Sequence, residues 1–417
     1  MRLALQDKGI MLVQVSCVLF AFFLPLSLSL KSVFLVSSLI FILLTPNYNK
    51  QIFYSFNGLW GRATLVFFAF IVIACFWSQA PYSTQLMVVG KDLKVLYLPI
   101  LAVGFINPKL RVWVLNSYLA ALFITCVVSI LKARGIVHIG EIADPGAVFH
   151  NHIVTGFMVA FGSYLAGLLA YKYSRWLRVG YLSLLFFLSY QIIFISTGRT
   201  GYLLYFVLMS LLFIQVFSIK KAILGFVLFC GLFFLCYSQS SIMQSRVTTM
   251  LNEVKLFKQN NQTSWGYRVQ FHTYAQSLFV THPIIGIGTG GFKYSYSRDN
   301  PVPSWKSQLT EPHSQYWQIL CEQGIIGLLL LLFFLGSLFI TSFKLIETRP
   351  ILLGILIAFC IGALSDTILS YSIVGYLLVL MSALSIGELI EKHSLKTTKE
   401  TELSSQANID SINAIHI

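Results

Sequence analysis

Unbroken apolar runs recur along the whole chain, and GLLLLLFFLGSLF at 327–339 is the plainest of them. Such a run has no alternation for a strand to use, so it argues against a transmembrane barrel and for helices. Of the 417 residues, 57% are hydrophobic and 11% are charged. A soluble domain carries about 25% charged residues. Soluble globular, disordered and fibrous chains are excluded on this ground. A single-span anchor is excluded as well, because no stretch is polar enough to make a large soluble domain. The expected fold is an all-α polytopic membrane protein, since a helix satisfies its own backbone in lipid.

About twelve spans fit the runs, at 9–29, 32–46, 61–77, 95–107, 112–131, 152–171, 179–196, 201–218, 222–237, 324–343, 350–365 and 370–389. Arg2 and Lys8 precede the first run without a clear cleavage site, so it reads as a span and not as a removed leader. With the N-terminus cytoplasmic, the inner segments collect Lys50, Lys109, Arg111, Lys172, Arg175, Arg178, Lys220, Lys221, Lys344 and Arg349. That is the pattern of the positive-inside rule. The expected organisation is spans one to nine over 1–237, a large periplasmic loop with short helices over 238–318, spans ten to twelve over 319–390, and a flexible cytoplasmic tail over 391–417. The large loop falls between spans nine and ten. No long internal repeat is visible, so an inverted-repeat transporter gets no support.

The formal charge of +14 comes from 29 Lys and Arg against 15 Asp and Glu. Positive-inside loops account for part of it without any nucleic-acid partner. The rest lies on the side where that rule wants little: Lys91, Lys94, Lys132, Arg134 and Arg199, with seven more in the large loop against three acids there. This excess suits an anionic ligand at the membrane surface, such as a lipid-linked phosphate or diphosphate. It also suits contact with anionic lipid headgroups or plain solvation. Arg199 is distinct, because STGRTGYLLYF leaves no room for a solvated loop and an Arg there needs a partner. Gly198 and Gly201 beside it allow close approach of a ligand to the backbone.

His313 follows Pro312 and runs at once into the tenth expected span, so it sits at a rigid helix start near the membrane surface. A neutral imidazole there can accept a proton, though a single histidine also serves structure. Glu322 is nine residues on, about two and a half turns, and does not obviously orient it. His150 and His152, with Glu141 and Asp144 upstream, raise the alternative of a metal site, but no HExxH or Cys/His cluster supports one. No metal is expected. GIGTGGF at 286–292 lacks the Lys-Ser/Thr of a nucleotide loop and reads as a turn packed closely on a helix. The seven cysteines form no CxxC pair.

Three stretches resemble the O-antigen ligase and polymerase superfamily of bacterial inner-membrane proteins. They are TGRTGYLL at 197–204, SWGYRVQFHTYAQSLFVTHPIIGIGTGGF at 264–292 and PHSQYWQILCEQGIIGLL at 312–329. Their order and the large loop agree with the family, and the third stretch is the most specific. The resemblance implies transfer of a glycan from an undecaprenyl-diphosphate carrier. In a ligase the acceptor is lipid A–core; in a polymerase it is another carrier-linked unit. It implies that Arg199 and Arg268 bind the diphosphate and that His313 is the essential histidine. Asp366, in GALSDTIL, resembles an acidic position of some ligases. Lys91, Lys94 and Arg134 are expected to add positive field. A ligase is the first expectation, with membrane lipids as surroundings and no cofactor. A polymerase is the alternative, and a transporter of an anionic lipid-linked substrate the reading from another class.

Overall fold

The computed structural model describes residues 2–140 and 144–415, and among them there is no strand. The chain opens with α1 (Arg2–Phe23) and α2 (Leu28–Leu44), followed by the short α3 (Asn49–Asn57). Next come α4 (Leu59–Ile73), α5 (Tyr82–Asp92), α6 (Tyr97–Gly104) and α7 (Pro108–Ala133). Then α8 (His152–Lys172), α9 (Arg175–Phe194), α10 (Arg199–Val216) and α11 (Ile219–Gln239) run in succession. Three helices, α12 (Ser241–Lys255), α13 (Ser264–Thr281) and α14 (Gly291–Asp299), separate α11 from α15 (Gln315–Ser342), α16 (Arg349–Ser365) and α17 (Ser372–Ile415).

Among the described residues, 8 helices are long and apolar enough to cross a membrane. They are α4 with its following turn, α7 to α11, α15 and the first part of α17. The count rises to 9 if α2 and the stretch Pro46–Asn57, bent by 81°, form one span. The chain is an all-helical polytopic membrane protein. The run expected to span over 95–107 yields only α6, whose 8 residues rise about 12 Å against a hydrocarbon core of about 30 Å. Lys91, Asp92 and Lys94 interrupt the apolar pattern ahead of it, and the helix changes to a tight turn over Leu93–Leu96. At the other end, the tail expected to be flexible from Glu391 instead continues α17 to Ile415. Residues 391–415 contain no Gly or Pro that would stop it.

Local chemistry sets the helix starts. The side chains of Ser27, Asn107, Asn151, Ser240, Thr263 and Ser314 each accept a backbone N–H of the first turn that follows. Each satisfies a donor that the helix itself leaves free. The centre of the bundle is α8 and the first half of α17, both almost wholly buried, while α11 lies at the edge. α8 packs close on α10, because Gly156 meets Gly201: a Cβ on Gly156 would lie 3.2 Å from the Gly201 Cα.

α15 is broken at Gly324, where φ is 65° and ψ is −163°. The break is filled by residues 283–288. Ile287 and Gly288 donate their N–H groups to the carbonyls of Cys321 and Glu322, both at 2.9 Å. In return, Ile325 and Ile326 donate to Pro283 and Ile284, at 2.9 and 3.2 Å. Every group that the break would leave without a partner in the helix ladder at these positions is thus paired. The two sequence stretches HPIIGIG and EQGIIG are halves of one joint. Glycines are required on both sides: a Cβ on Gly324 would stand 2.3 Å from the Ile284 carbonyl oxygen, and one on Gly286 2.4 Å from the Glu322 carbonyl carbon.

Candidate active site

The elements that close one end of the bundle converge on Asp366. Three contacts tie the start of α15 to the end of α16 and the turn after it. Ser314 Oγ donates to the Ala363 carbonyl at 3.4 Å, and Tyr316 Oη to that of Cys360 at 3.0 Å. The Leu369 N–H donates to Gln315 Oε1 at 3.0 Å. These bonds set His313 beside Asp366, with Nδ1 to Oδ1 at 3.0 Å. Tyr371 Oη donates to the same oxygen at 2.9 Å. The Arg268 guanidinium lies 3.6 Å from Oδ2, an ion pair beyond hydrogen-bond length. Asp366 is fully buried, whereas the side chains of His313 and Arg268 are 24% and 23% exposed. The acid is thus the floor of the cluster, and the two nitrogen groups form its mouth.

A carboxylate only accepts, so His313 Nδ1 donates to Asp366 and Nε2 is the basic nitrogen. His313 itself adopts φ of 54°, a left-handed conformation that non-glycine residues rarely take. His272 Nε2 donates to the His313 carbonyl at 3.2 Å and helps hold that backbone. Burial pushes the His272 imidazole below its ordinary value, which keeps it neutral in this role. The Phe271 ring packs against that of His313, with centroids 5.8 Å apart.

α13 aligns three polar groups of the site. Ser264, Arg268 and His272 are spaced by four, so they share one face of the helix. Ser264 Oγ accepts from Arg199 at 2.9 Å, Arg268 meets Asp366, and His272 meets His313. Thr200, next to Arg199, is 3.2 Å from the Ser365 hydroxyl next to Asp366. The structure therefore gathers Arg199, Arg268, His313 and Asp366 along one helix face. The carboxylate partner that Arg199 requires is Glu253 of α12, at 2.9 Å. Sequence reading did not single out Glu253 or His272. The four-residue spacing along α13 was the available signal for His272; nothing local marks Glu253.

The three supporting cations fare differently. Lys94 is buried and donates to the Leu369 carbonyl at 2.5 Å, so it braces the turn that carries Asp366. It also lies 5.4 Å from the centre of the Tyr376 ring. Burial lowers its ammonium to about 8, with neighbouring Asp92 opposing the shift. Lys91 is half-buried and acts with His313 to lower the Glu311 carboxyl, which burial has pushed up. Arg134 is exposed at the end of α7 and forms no hydrogen bond or ion pair with these residues.

The histidines of the metal alternative go elsewhere. His152 Nδ1 bonds Asp144 Oδ2 at 2.7 Å, and the other oxygen of Asp144 accepts from Thr197 at 2.8 Å. This ties the loop before α8 to the turn that carries Arg199. His150 is held low, at about 4, by burial and the charge of Lys31. Glu141 lies outside the described residues. Among the described residues, no three His, Cys, Asp or Glu side chains come together as metal ligands would.

Fold and site define a helical membrane protein whose acid, histidine and arginine cluster faces outward from one end of the bundle. Residues 184–332 match the family model described as O-Antigen ligase, so the chain carries the domain of the O-antigen ligase and polymerase superfamily. The matched stretch holds Arg199, Arg268 and His313 and ends before Asp366. Enzymes of this type act on lipid-linked glycans. No curated protein matches the chain.

Proposed function

We propose that the chain moves an O-antigen glycan from undecaprenyl diphosphate to a sugar hydroxyl of lipid A–core, at the periplasmic face of the inner membrane. The observation that supports this most is the His313–Asp366 bond with Arg268 on the same carboxylate. Asp366 holds Nδ1 of the imidazole and leaves Nε2 as its basic nitrogen, as an orienting carboxylate does for a general base. The acceptor oxygen attacks the anomeric carbon. The bond from that carbon to the diphosphate oxygen breaks, and its electron pair leaves on the diphosphate. The hydroxyl proton passes to His313 Nε2. A single displacement of this kind inverts the anomeric centre.

The diphosphate gains charge as it departs, and Arg268 and Arg199 take that charge through planar forks suited to phosphate oxygens. Arg199 shares its fork with Glu253 and Ser264, so one of its edges turns to the donor when the donor binds. Lys94 serves the same end indirectly, through the turn that carries Asp366. The carrier linkage is itself activated, so this reading requires no nucleotide or metal. In it the segment 238–318 is periplasmic and both termini are cytoplasmic.

The test is the surface glycan of cells that lack the chain. Loss of a ligase leaves lipid A–core with no attached chain while carrier-linked polymer accumulates. If a single repeat unit is still attached, the same chemistry joins repeat units and the enzyme is a polymerase. An unchanged glycan profile overturns both.

A further inference from the structure

A second cavity lies on the far side of α13. Its volume is about 560 Å³, within the range of small-molecule sites. Arg268 and Ser277 are nine residues apart on α13, about two and a half turns, so they point in opposite directions. Ser277 and Tyr274 line the cavity, while Arg268 faces Asp366. The two sites are therefore separated by one helix, roughly 10–12 Å thick.

The walls are held by the main chain. The Thr289 N–H donates to the Ala74 carbonyl at 3.2 Å, and Ser78 Oγ to the Thr289 carbonyl at 2.8 Å. A Cβ on Gly288 would stand 2.5 Å from the Ser78 Cα, so the two chains touch. The rings of Trp77, Tyr274 and Tyr294 supply flat apolar surface. The Gln79 amide has no hydrogen-bond partner among the described residues, and neither has the indole N–H of Trp77. The ligand must therefore offer apolar faces together with many donors and acceptors. It is not an anion, because the cavity's guanidinium, Arg298, is bound twice by Asp299, at 2.6 and 3.3 Å. It is not a lipid tail, because amide and hydroxyl groups line the walls.

Given the glycan-transfer reading, on which this rests, we propose that the cavity is a remote carbohydrate subsite for neutral sugar rings of a long glycan, away from the bond being made. Pyranose rings carry C–H faces for the aromatic platforms and hydroxyl rims for Gln79 and Ser277. The glycan has two sources, the donor chain and the acceptor oligosaccharide.

The test compares wild type with Tyr294→Ala, which removes a platform, and Ser277→Trp, which fills the cavity from an exposed position. Each full-length protein, in lipid nanodiscs, is titrated by tryptophan fluorescence with carrier-free O-antigen oligosaccharide and, separately, with carrier-free core oligosaccharide. Transfer is then measured with a long-chain donor and with a one-repeat donor. We expect Tyr294→Ala and Ser277→Trp to weaken binding of one oligosaccharide by about tenfold. KM for the matching substrate should rise by a similar factor with kcat unaffected, and a donor subsite should leave the one-repeat donor unaffected. A response to the O-antigen arm assigns the subsite to the donor, and a response to the core arm assigns it to the acceptor. Where the O-antigen arm responds, equal losses with long and one-repeat donors overturn the subsite, and unaltered binding of both oligosaccharides overturns it in either case. If wild type transfers nothing, the glycan-transfer reading fails, while the titration still decides whether the cavity binds sugar.

Discussion

His313, just before α15, and Asp366, just after α16, are 53 positions apart, yet lie 3.0 Å from each other with the acid fully buried beneath the histidine. A buried carboxylate costs several kcal/mol unless its neighbours compensate. Here His313, Tyr371 and Arg268 do so. Asp366→Asn keeps the shape, but its NH2 must face either the donors His313 Nδ1 and Tyr371 Oη or the Arg268 guanidinium, and in both cases the charge that orients the imidazole is lost. We expect kcat to fall about 10–100-fold with little change in KM for the donor. A kcat within twofold of wild type would show that Asp366 does not orient His313.

The two arginines differ in what they already hold. Arg199 is bonded to Glu253 and Ser264, whereas Arg268 has only the longer approach to Asp366. If Arg199 grips the diphosphate, Arg199→Lys loses the fork and should lower kcat/KM for the donor about tenfold or more. Glu253→Gln keeps a hydrogen-bond acceptor and should cost only about two- to threefold. The reverse order, with Glu253→Gln the more damaging, would make Arg199 a strut that holds α12 on the bundle.

The joint between residues 283–288 and the break in α15 gives a prediction about folding. Gly324→Ala places a methyl group 2.3 Å from the Ile284 carbonyl oxygen and forces alanine to φ of 65°. The strain alone is about 1–3 kcal/mol, before any clash is relieved. Thermal unfolding in detergent should therefore show a lower apparent Tm, and less protein should be recovered from the membrane. Gly336, with open space where its Cβ would be, is the control and should tolerate alanine. Equal behaviour of the two variants would remove the joint as a structural requirement.

Much of this was legible because apolar runs report helices directly, and Pro312 followed by a polar N-cap marks the start of α15. What was not legible is non-local. Periodicity cannot show that HPIIGIG fills the gap at EQGIIG, since each looks like a turn or a helix by itself. The Glu253 partner of Arg199 lies on another helix, and nothing around it in sequence distinguishes it from a solvated acid. α6 misled for a different reason: hydropathy counts apolar residues, whereas buried Asp92 and Lys94 decide where the helix breaks.

Topology rests on charge alone and is open to direct labelling. Ser304 is exposed in the segment between α14 and α15, and Lys220 is exposed at the start of α11. Ser304→Cys should react with a membrane-impermeant thiol reagent in intact spheroplasts, and Lys220→Cys should be protected. The opposite pattern would invert the protein in the membrane and remove the periplasmic active site.

The role of His313 is the most exposed to test. Its φ of 54° occurs beside the His272 bond and the ties between α15 and α16, and strain of this kind clusters where a side chain is held for function. A general base supplies about 10²–10⁴-fold in rate. His313→Gln keeps hydrogen bonding but cannot take the proton, so transfer from purified carrier-linked glycan to purified acceptor should fall by about that factor. Donor binding should survive, because Arg199 and Arg268 are untouched. His272→Ala should be milder, since it releases one backbone bond and leaves the imidazole of His313 in place. His282, exposed and with its ring bonded to Thr281, should be milder still when replaced by alanine. A His313→Gln enzyme that transfers near the wild-type rate would reduce the histidine to positioning the acceptor, and the proton would then have to leave by another route.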